Sequence, residues 1–150
     1  LLELQPVPIH ANKLEGEGLK KVTGISDSDV VGHEGGDRLE IGALGIRLIH
    51  TPGHTPGSQC FLVEEAHQAG HLVAGDTLFL NGCGRVDLPG SDPRAMYESL
   101  ETLKGLPDDT TLYPGHLYSP EGQDSLGDQK RTNPYLRAAS VDMFLSFMGG

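Results

Sequence analysis

Cysteine is scarce in this chain, and its scarcity bounds the redox chemistry first. The 150 residues hold only Cys60 and Cys83, too few for a disulfide framework and not spaced as a Cys-x-x-Cys metal or redox pair. Both are expected to be reduced. Cys60, within Cys60-Phe61-Leu62-Val63, reads as a small core residue. Cys83 lies in a glycine-rich loop, where a nucleophilic role would require an activating base. Positive charge is also in short supply. Eleven Lys and Arg stand against 21 Asp and Glu, for a net charge of −10 and without a basic cluster. That balance argues against nucleic acid or an anionic membrane as the main partner and leaves small molecules. No apolar run reaches the length needed to span a bilayer, and no charged-then-apolar leader opens the chain; a cytoplasmic protein is expected. Repeats and low-complexity tracts are absent as well.

What the chain does have is loop chemistry and a moderate apolar content. With 37% hydrophobic residues, 21 glycines and 10 prolines, residues 1–150 read as one loop-rich globular domain. Leu1-Leu2-Glu3-Leu4 is no initiator sequence and reads as the end of a helix entering a short strand from Val7 to Ala11. The chain is therefore expected to begin inside a fold.

A short helix, weakened by Gly16 and Gly18, is expected from Leu14 to Val22, and a polar loop from Ser26 to Glu34. Beyond Asp37, Arg38 to Ile41 and Gly45 to His50 alternate apolar with polar around Gly42-Ala43-Leu44, the pattern of a β-hairpin. Strands are expected again over Ser58 to Glu64 and His71 to Ala74, around a turn from Ala66 to Gly70. Asp92-Pro93 gives an N-cap and a first-turn proline, and Met96, Leu100 and Leu103 recur at helical spacing until Gly105. Thr110 to Tyr113 reads as a strand, Ser125 to Thr132 as a helix, and a final apolar segment runs to Met148. The order is that of a mixed α/β fold with helices packed on a sheet.

Chemistry-bearing side chains fall where strands end. Thr51-Pro52-Gly53-His54-Thr55-Pro56-Gly57-Ser58 fixes one imidazole on a turn with two prolines and two glycines. Asp76 closes the strand at Ala74, and His116 follows the strand at Tyr113, so a sheet brings the three to one rim. Two imidazoles and a carboxylate suit zinc, iron or manganese. Such a metal, with an open position, would supply hydroxide near neutral pH and polarise a carbonyl or phosphoryl centre.

Three ordered segments now carry a family resemblance: Thr51 to Ser58, Ala74-Gly75-Asp76-Thr77-Leu78-Phe79, and Tyr113-Pro114-Gly115-His116. Together they resemble the metallo-β-lactamase superfamily over about Asp37 to Asn133. Asn81-Gly82-Cys83-Gly84-Arg85-Val86-Asp87 is closest to its glyoxalase II and persulfide dioxygenase branch. The resemblance implies the C-terminal portion of an αββα sandwich. It also implies His54 as a ligand of a first metal, Asp76 as a catalytic, bridging ligand and His116 as a ligand of a second, for one or two zinc ions, with iron or manganese as alternatives. The family's His-x-His-x-Asp-His motif, which normally precedes these segments, is absent. An N-terminally truncated domain with an incomplete site is therefore expected, and a second copy of the chain could cover its open sheet edge.

Three functions follow from this reading. The first is a hydrolase cleaving a thioester or ester, with the isolated chain inactive. The second is a mononuclear iron dioxygenase acting on a persulfide, in which His116 would not touch metal. The third is a non-catalytic binding module. Arg85 reads either as a binder of a substrate carboxylate or as the partner of Asp87 in an ion pair that stiffens the loop. Lys130 and Arg131 read either as contacts to an anionic substrate or as a helix C-terminal cap. His10, His33, His50, His67 and His71 lack the rigid setting of His54 and read as surface or structural histidines.

Overall fold

Aliphatic and β-branched residues alternating with polar ones build a six-stranded mixed sheet in the computed structural model, which describes residues 7–149. The helix end expected at Leu1 to Leu4 lies outside the described residues. The strands are β1 (Ile9–Asn12), β2 (Val30–His33), β3 (Arg38–Ile41), β4 (Leu44–His50), β5 (Gln59–Glu64), β6 (His71–Gly75), β7 (Leu78–Phe79), β8 (Gly82–Cys83), β9 (Thr111–Pro114) and β10 (Asp124–Ser125). The helices are α1 (Gly16–Thr23), α2 (Pro93–Lys104), α3 (Leu126–Thr132) and α4 (Val141–Phe147). The sheet order is β10-β9-β6-β5-β4-β3, and β1 with β2 and β7 with β8 form separate two-stranded pairs. Every neighbour in the large sheet is antiparallel except β6 and β9, which run parallel across the connection that contains α2. Parallel strands need such a crossover, because a tight hairpin can only reverse the chain.

Residues directly opposite across strands share a face of the sheet. Cys60 pairs with Ile49, Leu62 with Leu72, and Leu72 with Leu112. That face holds Cys60, Leu62, Leu72, Ala74 and Leu112 and is fully buried under Met96, Leu100 and Leu103 of α2, Leu126 of α3 and Phe144 of α4. Burying each of these leucines is worth about 1.5–3 kcal/mol. The opposite face carries Ile41 opposite Leu44 and Phe61 opposite Val73, with Ile41 63% and Val73 42% exposed. Among the described residues no helix is long and apolar enough to cross a membrane.

The helix begun by Asp92 forms as expected. The Asp92 carboxylate accepts from the Arg94 and Ala95 amides, and the helix ends at Gly105. The hairpin turn is tighter than expected, since Leu44 belongs to β4 and Gly42 takes φ +61°. Ser26 to Glu34 is not the loop its polarity predicts. Ser26 and Asp29 cap a 3-10 turn at Asp27–Asp29, and β2 then pairs in parallel with β1, Ile9 opposite Val30. The pairing that stabilises β2 is long-range, and a local reading of polar residues contains no trace of it. Cys83 likewise sits on a strand, β8, rather than in a loop.

Candidate metal centre

The turn carrying His54 is held at each of its leading carbonyls. Ser99 of α2 donates to the Pro52 carbonyl at 2.7 Å, the Asp92 amide to Gly53 at 2.8 Å, and Ser91 Oγ to His54 at 2.8 Å. Gly53 has φ +145°, and a Cβ there would stand 2.6 Å from the Met96 backbone. The loop can therefore lie flat on α2 only with glycine at this position.

The imidazole of His54 is oriented by its other nitrogen. Nδ1 lies 2.9 Å from the Arg85 carbonyl, which can only accept, so Nδ1 carries a proton and Nε2 is the nitrogen left to ligate in the neutral imidazole. Nε2 lies 3.5 Å from Asp76 Oδ2, while Nε2 of His116 lies 3.2 Å from Asp76 Oδ1. Each imidazole thus addresses its own oxygen of one carboxylate. Asp76 follows β6, and the Gly115 amide donates to the Gly75 carbonyl at 2.9 Å, which sets the His116 segment beside it. A Cβ on Gly115 would come within 2.8 Å of the Gly75 backbone and 2.9 Å of Asp76 Oδ1.

A buried hydrogen bond joins the first two turns. Thr51 Oγ1 lies 2.9 Å from Thr77 Oγ1, and both residues are almost wholly inaccessible. Sequence reading did not single out this pair; its signal is a threonine three residues before the histidine and another directly after the aspartate. Gln129 and Asn133 were also missed. Asn133 donates to the Phe79 and Gly82 carbonyls at 3.1 and 3.0 Å, and Gln129 accepts from the Asn81 amide at 2.7 Å, so α3 fixes the β7–β8 hairpin. That hairpin, with Tyr118 and Tyr135, lines a cleft of about 650 Å³ onto which His54, Asp76 and His116 open.

Three other candidate residues are placed differently. Arg85 lines the cleft but makes a two-pronged ion pair with Asp87, at 2.7 and 2.8 Å. The pair holds the guanidinium above and the carboxyl below their ordinary values. Lys130 is not among the cleft-lining residues; its ammonium donates to the Leu106 carbonyl at 2.6 Å and to Asp108 at 2.5 Å. Cys83 lines the cleft, but burial pushes its thiol up to about 12. That shift disfavours the thiolate a nucleophile would need at neutral pH. Of the remaining histidines, His50 reaches the Pro56 carbonyl, His71 reaches Tyr113, and His10 reaches His33, which also meets Asp37.

The donors at Asp76 fit a metal in type and aim, and fall short in number. Among the described residues no group of three or more His, Cys, Asp or Glu side chains is placed to hold a metal ion. The geometry explains why, because His54 and His116 face opposite carboxylate oxygens, giving two positions with two donors each. A stable site needs at least one further protein donor at each position.

Residues 3–116 match the family described as the metallo-beta-lactamase superfamily. The chain belongs to this superfamily. It is 41% identical over 114 residues to a probable metallo-hydrolase of Burkholderia pseudomallei, covering 68% of this chain and 39% of that protein. It is 35% identical over 150 residues to a hydroxyacylglutathione hydrolase of Rhizobium meliloti, covering 79% and 55%. The crystal structure of ETHE1 from Myxococcus xanthus superposes with a TM-score of 0.72 at 30% identity, covering 89% of this chain and 61% of that one. The chain thus spans between about two fifths and three fifths of these proteins, and the mixed sheet with its helices is the fold of this superfamily of metal-binding, mostly hydrolytic enzymes.

Proposed function

We propose that this chain forms part of a metal-dependent hydrolase that cleaves a thioester or ester. The observation that carries the reading is Asp76, one carboxylate whose two oxygens are each faced by a separate histidine Nε2. His54 and Asp76 would hold one divalent ion, Asp76 and His116 a second, and donors beyond the described residues would complete each shell. Neutral imidazole and carboxylate suit zinc, iron or manganese. A bound ion supplies Lewis acidity toward the scissile carbonyl and lowers the pKa of a coordinated water.

The chain's own residues do the remaining work. The Arg85 carbonyl keeps the proton of His54 on Nδ1, so that Nε2 is always the ligating atom. Phe79, Tyr118 and Tyr135 give the cleft apolar, stacking surfaces for the substrate body. Arg85, among the described residues the only Lys or Arg lining the cleft, has its guanidinium paired with Asp87. The pair with Asp87 supports the loop-stiffening reading of Arg85 over that of a carboxylate binder. The names of the two curated relatives, a metallo-hydrolase and a hydroxyacylglutathione hydrolase, support this reaction class.

Metal content and turnover test the reading. In the active protein, Asp76→Ala is expected to lose most of the bound metal and nearly all of the rate, and His67→Ala to change neither by more than about twofold. Equal losses from the two would refute the assignment. Iron together with oxygen consumption on a glutathione persulfide would replace the hydrolase by a dioxygenase. The chain by itself is expected to bind metal weakly and to show little or no thioester cleavage.

A further inference from the structure

A carboxylate from a distant part of the chain closes the turn that bears His54. Glu15 ends the 3-10 turn Lys13–Glu15, which is capped by Asn12 through its side-chain oxygen and the Leu14 amide at 2.9 Å. One oxygen of Glu15, Oε1, accepts from Thr55 Oγ1 at 2.6 Å and from the Gly57 amide at 2.8 Å. These donors lie one and three residues beyond His54, about forty positions from Glu15 in sequence. Gly57 is buried, and a Cβ there would stand 2.5 Å from the Glu15 Cγ and Oε1. The second glycine of the turn therefore leaves room for this carboxylate.

The hydrogen-bond order around Thr55 is fully determined. Its single hydroxyl proton goes to Glu15, so Ser58 Oγ, 2.9 Å away, donates to Thr55 Oγ1 and accepts from the Thr55 amide at 3.0 Å. Without Glu15 the buried Gly57 amide has no acceptor among these groups, and the second half of the turn is released. We propose that Glu15 is a positioning residue for His54, and that it sets the affinity of the His54–Asp76 position for a divalent metal. The inference rests on the metal-centre reading of His54.

Two readouts test it, amide exchange on the metal-free chain and zinc affinity in the active protein whose site is complete. In Glu15→Ala, amide exchange at Gly57 is expected to accelerate at least about tenfold, while Leu62 and Leu72 keep their protection. The dissociation constant for zinc, measured by competition with a chromophoric chelator, is expected to rise about tenfold. Glu15→Gln retains an acceptor at Oε1 and is expected to stay within about threefold of the parent on both measures. Unchanged Gly57 exchange in Glu15→Ala overturns the brace, and faster exchange with unchanged zinc affinity overturns the positioning role. His54→Ala separates the two failures. If it leaves zinc affinity intact, the metal-centre reading itself falls, and if it weakens zinc while Glu15→Ala does not, only the role of Glu15 is lost.

Discussion

Desolvation raises both thiols above the range in which a free cysteine ionises. At pH 8 a thiol raised from 9.0 to about 12, as Cys83 is, holds about a thousandth of the thiolate of an unperturbed one. Alkylation of Cys83 by iodoacetamide is expected to be slower than that of a small free thiol by about that factor, and rates within tenfold of each other would contradict its burial. Cys60 has a consequence for stability. Desolvation raises it from 9.0 to about 11, so below pH 9 both folded and unfolded states keep the proton and stability is independent of this group. Between pH 9 and 11 the unfolded chain releases the proton and the folded one does not, which costs about 3 kcal/mol across the window. Urea unfolding at pH 8 and pH 11 is expected to show a correspondingly smaller fall for Cys60→Ala than for the parent. Gly115 is the third residue whose effect is local, since a Cβ there meets Asp76 and the backbone before it. Gly115→Ala is expected to weaken metal binding more than it lowers the midpoint of unfolding.

Among the elements, the helices divide into those that support the core and one that shapes the cleft. Loss of the cap in Asp92→Ala is expected to cost about 1 kcal/mol in chemical unfolding, because two amides at the start of α2 lose their acceptor. Asn133→Ala touches α3 and the β7–β8 hairpin together, leaving the Phe79 and Gly82 carbonyls without their donor. It is expected to cost more, about 2–3 kcal/mol, and to loosen the cleft. These examples also mark what could be read from sequence. The cap was legible because Asp-Pro and a helical run of Met96, Leu100 and Leu103 are local signals. The His54, Asp76 and His116 segments were legible because glycine and proline punctuate the strand ends that carry them. The β7–β8 hairpin was not, since strands of two residues have no period. Nor was the role of Gln129 and Asn133, whose partners lie about fifty residues away and are backbone atoms. Glu15 escaped for the same reason, because the groups it holds are an amide and a hydroxyl that any sequence contains.

At the scale of the whole molecule, α2, α3 and α4 pack on one face of the sheet, while the opposite face is buried at Leu48 and open in part. Phe144 of α4 fills that packed side, fully buried against Tyr97 and Tyr135 at ring distances of 5.7 and 5.9 Å. Phe144→Ala is expected to cost about 3–5 kcal/mol, read from the shift of the urea midpoint. The other side exposes Ile41 and Val73, so Ile41→Lys is expected to change stability by less than about 0.5 kcal/mol. The parallel join of β6 to β9 has a different kind of consequence. Asp76 and His116 stand at the ends of two strands that meet only after the chain has passed through α2. Closing that loop is the non-local step of folding, and the unfolded chain never holds the two side chains together. Any ion gripped between them is therefore bound by the native state alone. Its free energy of binding adds directly to that of folding, about 2.7 kcal/mol at a hundred times the dissociation constant, and the melting temperature becomes a titration curve for the metal.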